Sequence, residues 1–229
     1  MVIEHSQFGH QSVNMSLLPF KPCSTFGLCG ATQAGKTWWL YRLLQNLDDM
    51  FEEDPPKKVL YCYGVYQSLY DEMKKTCPFI TFHEGLPPTD FIDFFANGEH
   101  RAVVLDDLLN DVLQNRDMEK LFILGSHHKK LSVFFLTQNL FQQGRCARTI
   151  ALNTAYLILF KNYRDTSQLM MLGRQLVPGH HQDLIAAYKD ATTVTKYGYL
   201  VLDMSPHSED KYRWRTRVFP GEDPIIYEV

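Results

Sequence analysis

"GATQAGKT", Gly30–Thr37, follows the apolar run "STFGLC" (24–29) and leads into "WWLYRLL" (38–44). Gly30, Gly35, Lys36 and Thr37 satisfy the pattern G-x-x-x-x-G-K-[ST]. With glycine at about 7% of residues, that pattern arises by chance in roughly one chain per hundred of this length. The flanking runs sharpen it, because they predict a strand before the octet and a helix opening at Lys36. Phosphate binding needs that order. Glycines let the backbone wrap the phosphates, while N–H groups and a helix N-terminus supply partial positive charge. In such a loop Lys36 reaches the β- and γ-phosphates of ATP and the Thr37 hydroxyl ligates Mg²⁺. The expected binding set is Gly30, Ala31, Thr32, Gln33, Ala34, Gly35, Lys36, Thr37 and Trp38.

A Mg²⁺ site also calls for a carboxylate at the end of a neighbouring buried strand. "RAVVLDDLL" (101–109) supplies Asp106 for that place, and Asp107 becomes the candidate general base for an attacking water. The competing reading is an Asp pair that caps the helix "LLNDVL". "FFLTQN" (134–139) is a further strand ending in polar side chains. Gln138 is the choice there for bonding the γ-phosphate or orienting the water, with Thr137 and Asn139 behind it.

Working outward, apolar strand runs at 58–64, 79–83, 101–109, 131–139 and 155–161 alternate with helical segments at 36–50, 66–76, from 88 onward and at 116–128. Continuous apolar strands separated by helices imply a parallel sheet covered on both faces. "GYLVLDM" (198–204) and "KYRWRTRVF" (211–219) flank the turn-rich "SPHSED" and predict a hairpin at the sheet edge. Residues 1–22, punctuated by Pro19 and Pro22, are expected to form an arm, 23–205 the core, and 206–229 a strand and tail completing the same domain.

At 229 residues, 45% hydrophobic and 21% charged, the chain suits one well-buried core, and its net charge of −3 supplies no general positive field for nucleic acid. Five cysteines at 23, 29, 62, 77 and 146, an odd number without a Cys-x-x-Cys pair, suit reduced thiols in an intracellular, soluble protein. Neither a signal-peptide pattern nor a membrane-length apolar run stands out, and no membrane is expected as a partner.

Other features compete for attention. His127–His128 and His180–His181 lack ligands at zinc spacing and read as surface or helix-end histidines. Alternation places Lys211, Arg213, Arg215 and Arg217 on one face of a strand, either a charged edge or a contact to a subunit or DNA phosphates. Of Trp38 and Trp39, at least one is expected in the core. Arg145, Arg148, Arg164 and Arg174 follow the strand that leads to Gln138. Arg148 first and Arg164 second are the candidates among them for an arginine finger.

Several phosphate-loop classes compete. The guanine-reading Asn-Lys-x-Asp of regulatory GTPases is missing, since "KNYRD" (161–165) does not fit. A small-molecule kinase, with "GRCAR" (144–148) as a lid, and a helicase-type motor stay open. "GATQAGKT", "VVLDDLL", "LTQNLF", "LNTAYLILFKNYRDTSQ" and "GRQLVP", in this order, resemble the DNA-packaging ATPases of the FtsK–HerA superfamily. The likeness is greatest to those of large eukaryotic DNA viruses and virus-like Polinton transposons, over about residues 20–205. It implies a three-layer α/β P-loop NTPase fold (ASCE/RecA-like), with a mainly parallel central sheet whose sensor strand lies between the phosphate-loop and Asp106 strands, plus the C-terminal β-hairpin. It also implies a homo-oligomeric ring that uses ATP and Mg²⁺ to pump double-stranded DNA into a capsid, with capsid or portal proteins as partners. Such a motor acts in the host cell or with the virion. Lys36 and Thr37 match the phosphate-loop pair, Asp106 the Mg²⁺ carboxylate and Gln138 the sensor glutamine. The chain departs from the wider superfamily at Asp107, where many relatives carry Glu.

Overall fold

The computed structural model describes residues 18–88, 98–115, 118, 121–122, 130–141, 146–163 and 166–228. Among these residues nine strands form one sheet: β1 (Thr25–Cys29), β2 (Lys58–Tyr63), β3 (Ile80–Glu84), β4 (Arg101–Asp106), β5 (Leu131–Thr137), β6 (Tyr156–Phe160), β7 (Tyr199–Asp203), β8 (Trp214–Thr216) and β9 (Ile225–Ile226). Their order is β3-β2-β4-β5-β1-β6-β7-β8-β9. The first six run parallel and the last three join antiparallel. β5 therefore lies between β1 and β4, as the resemblance implied. The helices are α1 (Lys36–Gln45), α2 (Leu47–Met50), α3 (Leu69–Thr76), α4 (Leu109–Gln114), α5 (Ala147–Asn153), α6 (Thr166–Leu176) and α7 (His181–Thr193).

Alternating residues of the central strands enter different cores. Phe134 and Leu136 pack with Phe26, Trp39, Leu43 and Met73, on the side of α1 to α3. Val133 and Phe135 pack with Val112, Leu113 and Ile150, on the side of α4 and α5, and Leu169, Leu172, Leu184 and Ala187 of α6 and α7 cover β7 on that side. The result is three layers. β1 and β5 are buried along their whole length, and two-sided burial explains why their apolar residues fall on both faces rather than alternating with exposed ones. Phe26 stacks between Phe134 and Tyr156 at centroid distances of 4.5 and 4.8 Å, so Phe26→Ala would open a cavity costing about 3–5 kcal/mol.

Phe20 is 1% exposed and packs edge-on against Phe26 and Tyr156. The end of the expected arm thus enters the core, while residues 1–17 lie outside the described residues. So do most of the helix expected from 88 and most of 116–128. The helix expected to run from 36 to about 50 is broken at Asn46, whose side-chain amide donates to Arg42 O at 2.8 Å and competes with the backbone ladder. Within α1, Arg42 pairs with Glu222 at 2.8 Å and lies 4.1 Å from the Phe219 ring centroid, tying this helix to the C-terminal segment.

The hairpin forms between β7 and β8, but the expected basic strand face does not. Residues 210–212 are a 3₁₀ turn and only 214–216 form the strand. Arg215 is 2% exposed and bonds Asp203 at 3.1 Å and Tyr212 O at 2.9 Å. Arg213 turns back onto Ser205 O and Ser208 O, at 2.9 and 3.0 Å. A buried carboxylate demands a cation, so Asp203 draws Arg215 inward and the row of four aligned cations is lost.

Candidate functional site

The loop between β1 and α1 is held from both sides. Gly30 N–H donates to Thr137 O at 3.2 Å, fixing the loop to the end of β5. A Cβ at Gly30 would sit 2.6 Å from Phe160 Cβ, so the close approach of β6 requires glycine there. Gly35 adopts φ 103, a left-handed conformation that suits glycine, and its carbonyl accepts the first helical bond, from Trp39 N at 2.8 Å. Thr32 and Gln33 form the exposed crest, with Ala31 and Ala34 closing the turn through a 3.2 Å backbone bond. Trp39 is buried in the core, as expected of at least one of the pair, while Trp38 is 41% exposed beside the loop.

Lys36 folds across the loop's mouth. Its Nζ donates to Gly30 O at 2.7 Å and Ala31 O at 3.0 Å, and the residue is 8% exposed. Burial pushes its pKa down; Asp107 is the strongest opposing influence, followed by Cys29 and Asp106. The ammonium therefore lies within electrostatic reach of the carboxylates at the end of β4.

Asp106, the last residue of β4, is 3% exposed. Its Oδ2 accepts from Tyr61 OH at 2.7 Å, Tyr70 OH at 2.9 Å and Thr37 Oγ1 at 3.5 Å. Burial raises the carboxyl pKa while the two tyrosine bonds pull it down. Burial, and after it the charge of Asp106, pushes both phenols far above the ordinary tyrosine range, so each remains a donor at ordinary pH. A hydroxyl and a carboxylate brought together on neighbouring elements are hard oxygen donors and fit a Mg²⁺ ion. Among the described residues no three His, Cys, Asp or Glu side chains gather as a metal site.

Asp107 takes φ 57, which Asp tolerates better than most residues, and this turn leads the chain out of β4 with the residue exposed. It does not cap α4; Leu108 holds that position without a side-chain bond. Gln138 follows β5 directly, is exposed, and lines a small cleft with Gly30, Asn162 and Gln168. Gln168 Oε1 accepts from Leu140 N at 2.6 Å and fixes the loop beyond it. Thr137 Oγ1 accepts from Asn139 N at 3.2 Å, within its own turn.

The structure thus brings Lys36, Thr37, Asp106 and Asp107 together, with Gln138 next to Gly30. Arg148 stands apart, exposed on α5 beside an apolar groove of about 680 Å³ that Thr137 and Asn139 also line. Arg174 is exposed on α6, and Arg145 and Arg164 lie outside the described residues, as do His127 and His128. His180 is exposed and 3.3 Å from Asp183 at the start of α7. Sequence reasoning missed Tyr61 and Tyr70. The available signal was chemical: a buried carboxylate needs donors, and a tyrosine in a buried strand needs a partner.

Among the described residues no helix is long and apolar enough to cross a membrane. No protein-family model matches the sequence, and no curated protein does. Solved structures do match. The genome packaging NTPase B204 from Sulfolobus turreted icosahedral virus 2, solved with ATP-gammaS, is similar over 90% of this chain and 98% of its own, with 12% identity and a TM-score of 0.54. EssC (ATPases 2 and 3) from Geobacillus thermodenitrificans matches over 90% of this chain and 39% of its own, at 11% identity and TM-score 0.49. The cytoplasmic domain of EssC matches over 82% and 41%, at 14% identity and TM-score 0.47. With a mainly parallel sheet, β5 inserted between β1 and β4, and helices on both faces, this chain shares the three-layer P-loop NTPase fold of the viral genome packaging NTPase.

Proposed function

We propose that the chain is an ATPase of the FtsK–HerA type that hydrolyses ATP with Mg²⁺ to move double-stranded DNA, packaging a viral genome into a capsid as a homo-oligomeric ring. The observation that carries this reading is the convergence of Lys36, Thr37 and Asp106 at the ends of β1 and β4, with Gln138 presented from the strand between them. The motif order in the sequence and the shared fold with a genome packaging NTPase support it.

In this reading the N–H groups of Gly30–Gly35 and the start of α1 bind the phosphates. Lys36 exchanges its loop carbonyls for the γ-phosphoryl oxygens and offsets charge that builds there. Thr37 and Asp106 would hold Mg²⁺, with Tyr61 and Tyr70 fixing the carboxylate. When bound, the ion neutralises charge on the β- and γ-phosphates. Gln138 orients a water and Asp107 accepts its proton. The water oxygen bonds to the γ-phosphorus as the bond to the β–γ bridging oxygen breaks, leaving ADP and phosphate. Arg148 or Arg164 reaches a neighbouring subunit's γ-phosphate, and capsid or portal proteins receive the ring.

ATP hydrolysis measured with and without duplex DNA, together with mass in solution, tests the proposal. We expect hydrolysis that rises with DNA, a multimeric mass, and loss of turnover in Lys36→Ala. Hydrolysis that ignores DNA and requires a small phosphoryl acceptor would replace the motor with a kinase.

A further inference from the structure

Gln138 leaves β5 at a point where the chain is held on both sides of it. On the near side the Thr137 carbonyl accepts from Gly30 N–H at 3.2 Å, which joins the end of β5 to the phosphate loop. On the far side two successive backbone groups converge on one side-chain atom. Gln168 Oε1, on α6, accepts from Leu140 N at 2.6 Å and from Phe141 N at 3.4 Å. Leu140 and Phe141 are half-buried against Leu169, Leu172 and Leu184. N–H groups drawn out of water in this way need an acceptor, and Gln168 provides one from 28 positions beyond Leu140. Between the two fixed points stand Gln138 and Asn139, so the backbone of Gln138 has little room to move.

The same side chain borders the site. Gly30, Gln138, Asn162, Gln168 and Tyr188 line one cleft. Tyr188, on α7, secures the opposite wall: its hydroxyl accepts from Asn162 N at 2.8 Å and donates to Phe160 O at 3.0 Å. Phe160 is the residue whose Cβ bars any side chain at Gly30. Leu169 and Leu172 of α6 pack with Leu184 and Ala187 of α7. One helix pair thus anchors the chain as it leaves β5 and β6, the strands on either side of β1. Of the two anchors, Gln168 acts on the segment that carries Gln138.

We propose that Gln168 is a positioning residue for Gln138. By gathering the N–H groups of Leu140 and Phe141, it sets how far the Gln138 amide stands from the phosphate loop. The proposal rests on the reading of Gln138 as the group that orients the attacking water, and adds what holds that group in place. Without Gln168 the turn after β5 relaxes and the amide drifts, while Lys36 and Asp106 keep their own bonds to the loop and to Tyr61. Nucleotide binding and hydrolysis therefore separate, and Gln168 governs the second. A misplacement of about 1 Å at a reacting centre costs on the order of 100-fold in rate.

Two substitutions in the whole chain test this. Gln168→Met keeps the length and helix propensity of the side chain but removes the amide oxygen. Gln168→Glu keeps an oxygen acceptor for both N–H groups. Gln168→Met should slow single-turnover hydrolysis of ATP with Mg²⁺ about tenfold to 100-fold and leave ATP affinity unchanged. Gln168→Glu should recover most of that loss. Amide hydrogen exchange at Leu140 and Phe141 should quicken in Gln168→Met and slow again in Gln168→Glu. Because Gln168 acts through Gln138, the two effects should not add: in a Gln138→Ala background, Gln168→Met slows hydrolysis no further. Additive losses, an equal fall in ATP affinity, wild-type hydrolysis in Gln168→Met or no recovery in Gln168→Glu would each overturn the proposal. Wild-type hydrolysis in Gln138→Ala alone would instead remove the reading of Gln138 on which it rests.

Discussion

Tyr61 donates to Asp106 across two adjacent strands at 2.7 Å, and Tyr70 delivers a second phenol to the same carboxylate oxygen at 2.9 Å. Hydrogen bonds to a charged group contribute about 1.5–3 kcal/mol each. Their geometric effect is to fix the rotation of a carboxylate that Thr37 must meet. Tyr61→Phe or Tyr70→Phe should raise the Mg²⁺ concentration for half-maximal hydrolysis about tenfold, and the double variant should raise it further. Kinetics at saturating Mg²⁺ should recover most of the turnover. An unchanged Mg²⁺ requirement in the double variant would reduce the tyrosines to core packing.

Asp107 carries the base assignment. Asp107→Asn should bind ATP with near-normal affinity and hydrolyse it at least ~100-fold more slowly, the scale of a lost general base. Asp107→Glu should stay active, since the added methylene still reaches from an exposed position. Single-turnover hydrolysis distinguishes the two. Wild-type rates in Asp107→Asn would leave the water to Gln138.

Arg148 is the arginine-finger candidate that falls among the described residues. If it completes a neighbour's site, Arg148→Ala and Lys36→Ala should each be inactive alone. Rings mixed from the two should regain some hydrolysis, because an intact loop can then meet an intact finger. Full activity of Arg148→Ala by itself excludes the residue. No recovery in rings proved mixed by mass speaks against action between subunits.

Asp203 and Arg215 form a buried pair, 4% and 2% exposed. Removing one partner strands the other's charge, so Asp203→Ala should cost about 3–5 kcal/mol. Denaturant unfolding measures this. A loss below about 1 kcal/mol would mean that Arg215 finds water instead.

His100 gives a pH dependence of stability. It is fully buried: its Nδ1 donates to Asp54 O, and its Nε2 accepts from Ser132 Oγ at 2.9 Å and Cys23 N at 3.3 Å. Burial holds its pKa below the ordinary 6.5, with the Asp54 carbonyl opposing. The unfolded chain therefore takes up this proton at a higher pH than the folded one. The stability involved is fully present above about pH 6.5 and is lost as pH falls through the folded value. Unfolding midpoints should drop between pH 7.5 and 5, less steeply in His100→Gln than in wild type. Parallel slopes would discard His100 as the source.

The phosphate loop was legible because its function demands a local pattern: glycines, a lysine and a hydroxyl residue, all within eight positions. Asp106 was legible because a carboxylate ending a run of buried apolar residues is costly without a task. The strand order followed from the family resemblance rather than from any single segment. What stayed hidden depends on partners distant in sequence. Tyr61, Tyr70 and Asp106 meet only after β2, α3 and β4 assemble. Arg215 was misread for the same reason: alternation assigns a side chain to a face, but cannot reveal that Asp203 waits on the buried one.

The bond between Arg42 and Glu222 ties the helix behind the phosphate loop to a segment that the ribosome makes much later. Its two residues are 180 positions apart, yet one lies on the helix that begins at the phosphate loop. A nascent chain acquires the loop early, but that helix is not seated against its final neighbours until the segment around Glu222 has emerged from the ribosome. Until then α1, which carries Lys36 and Thr37, lacks the brace that Glu222 and the Phe219 ring supply through Arg42.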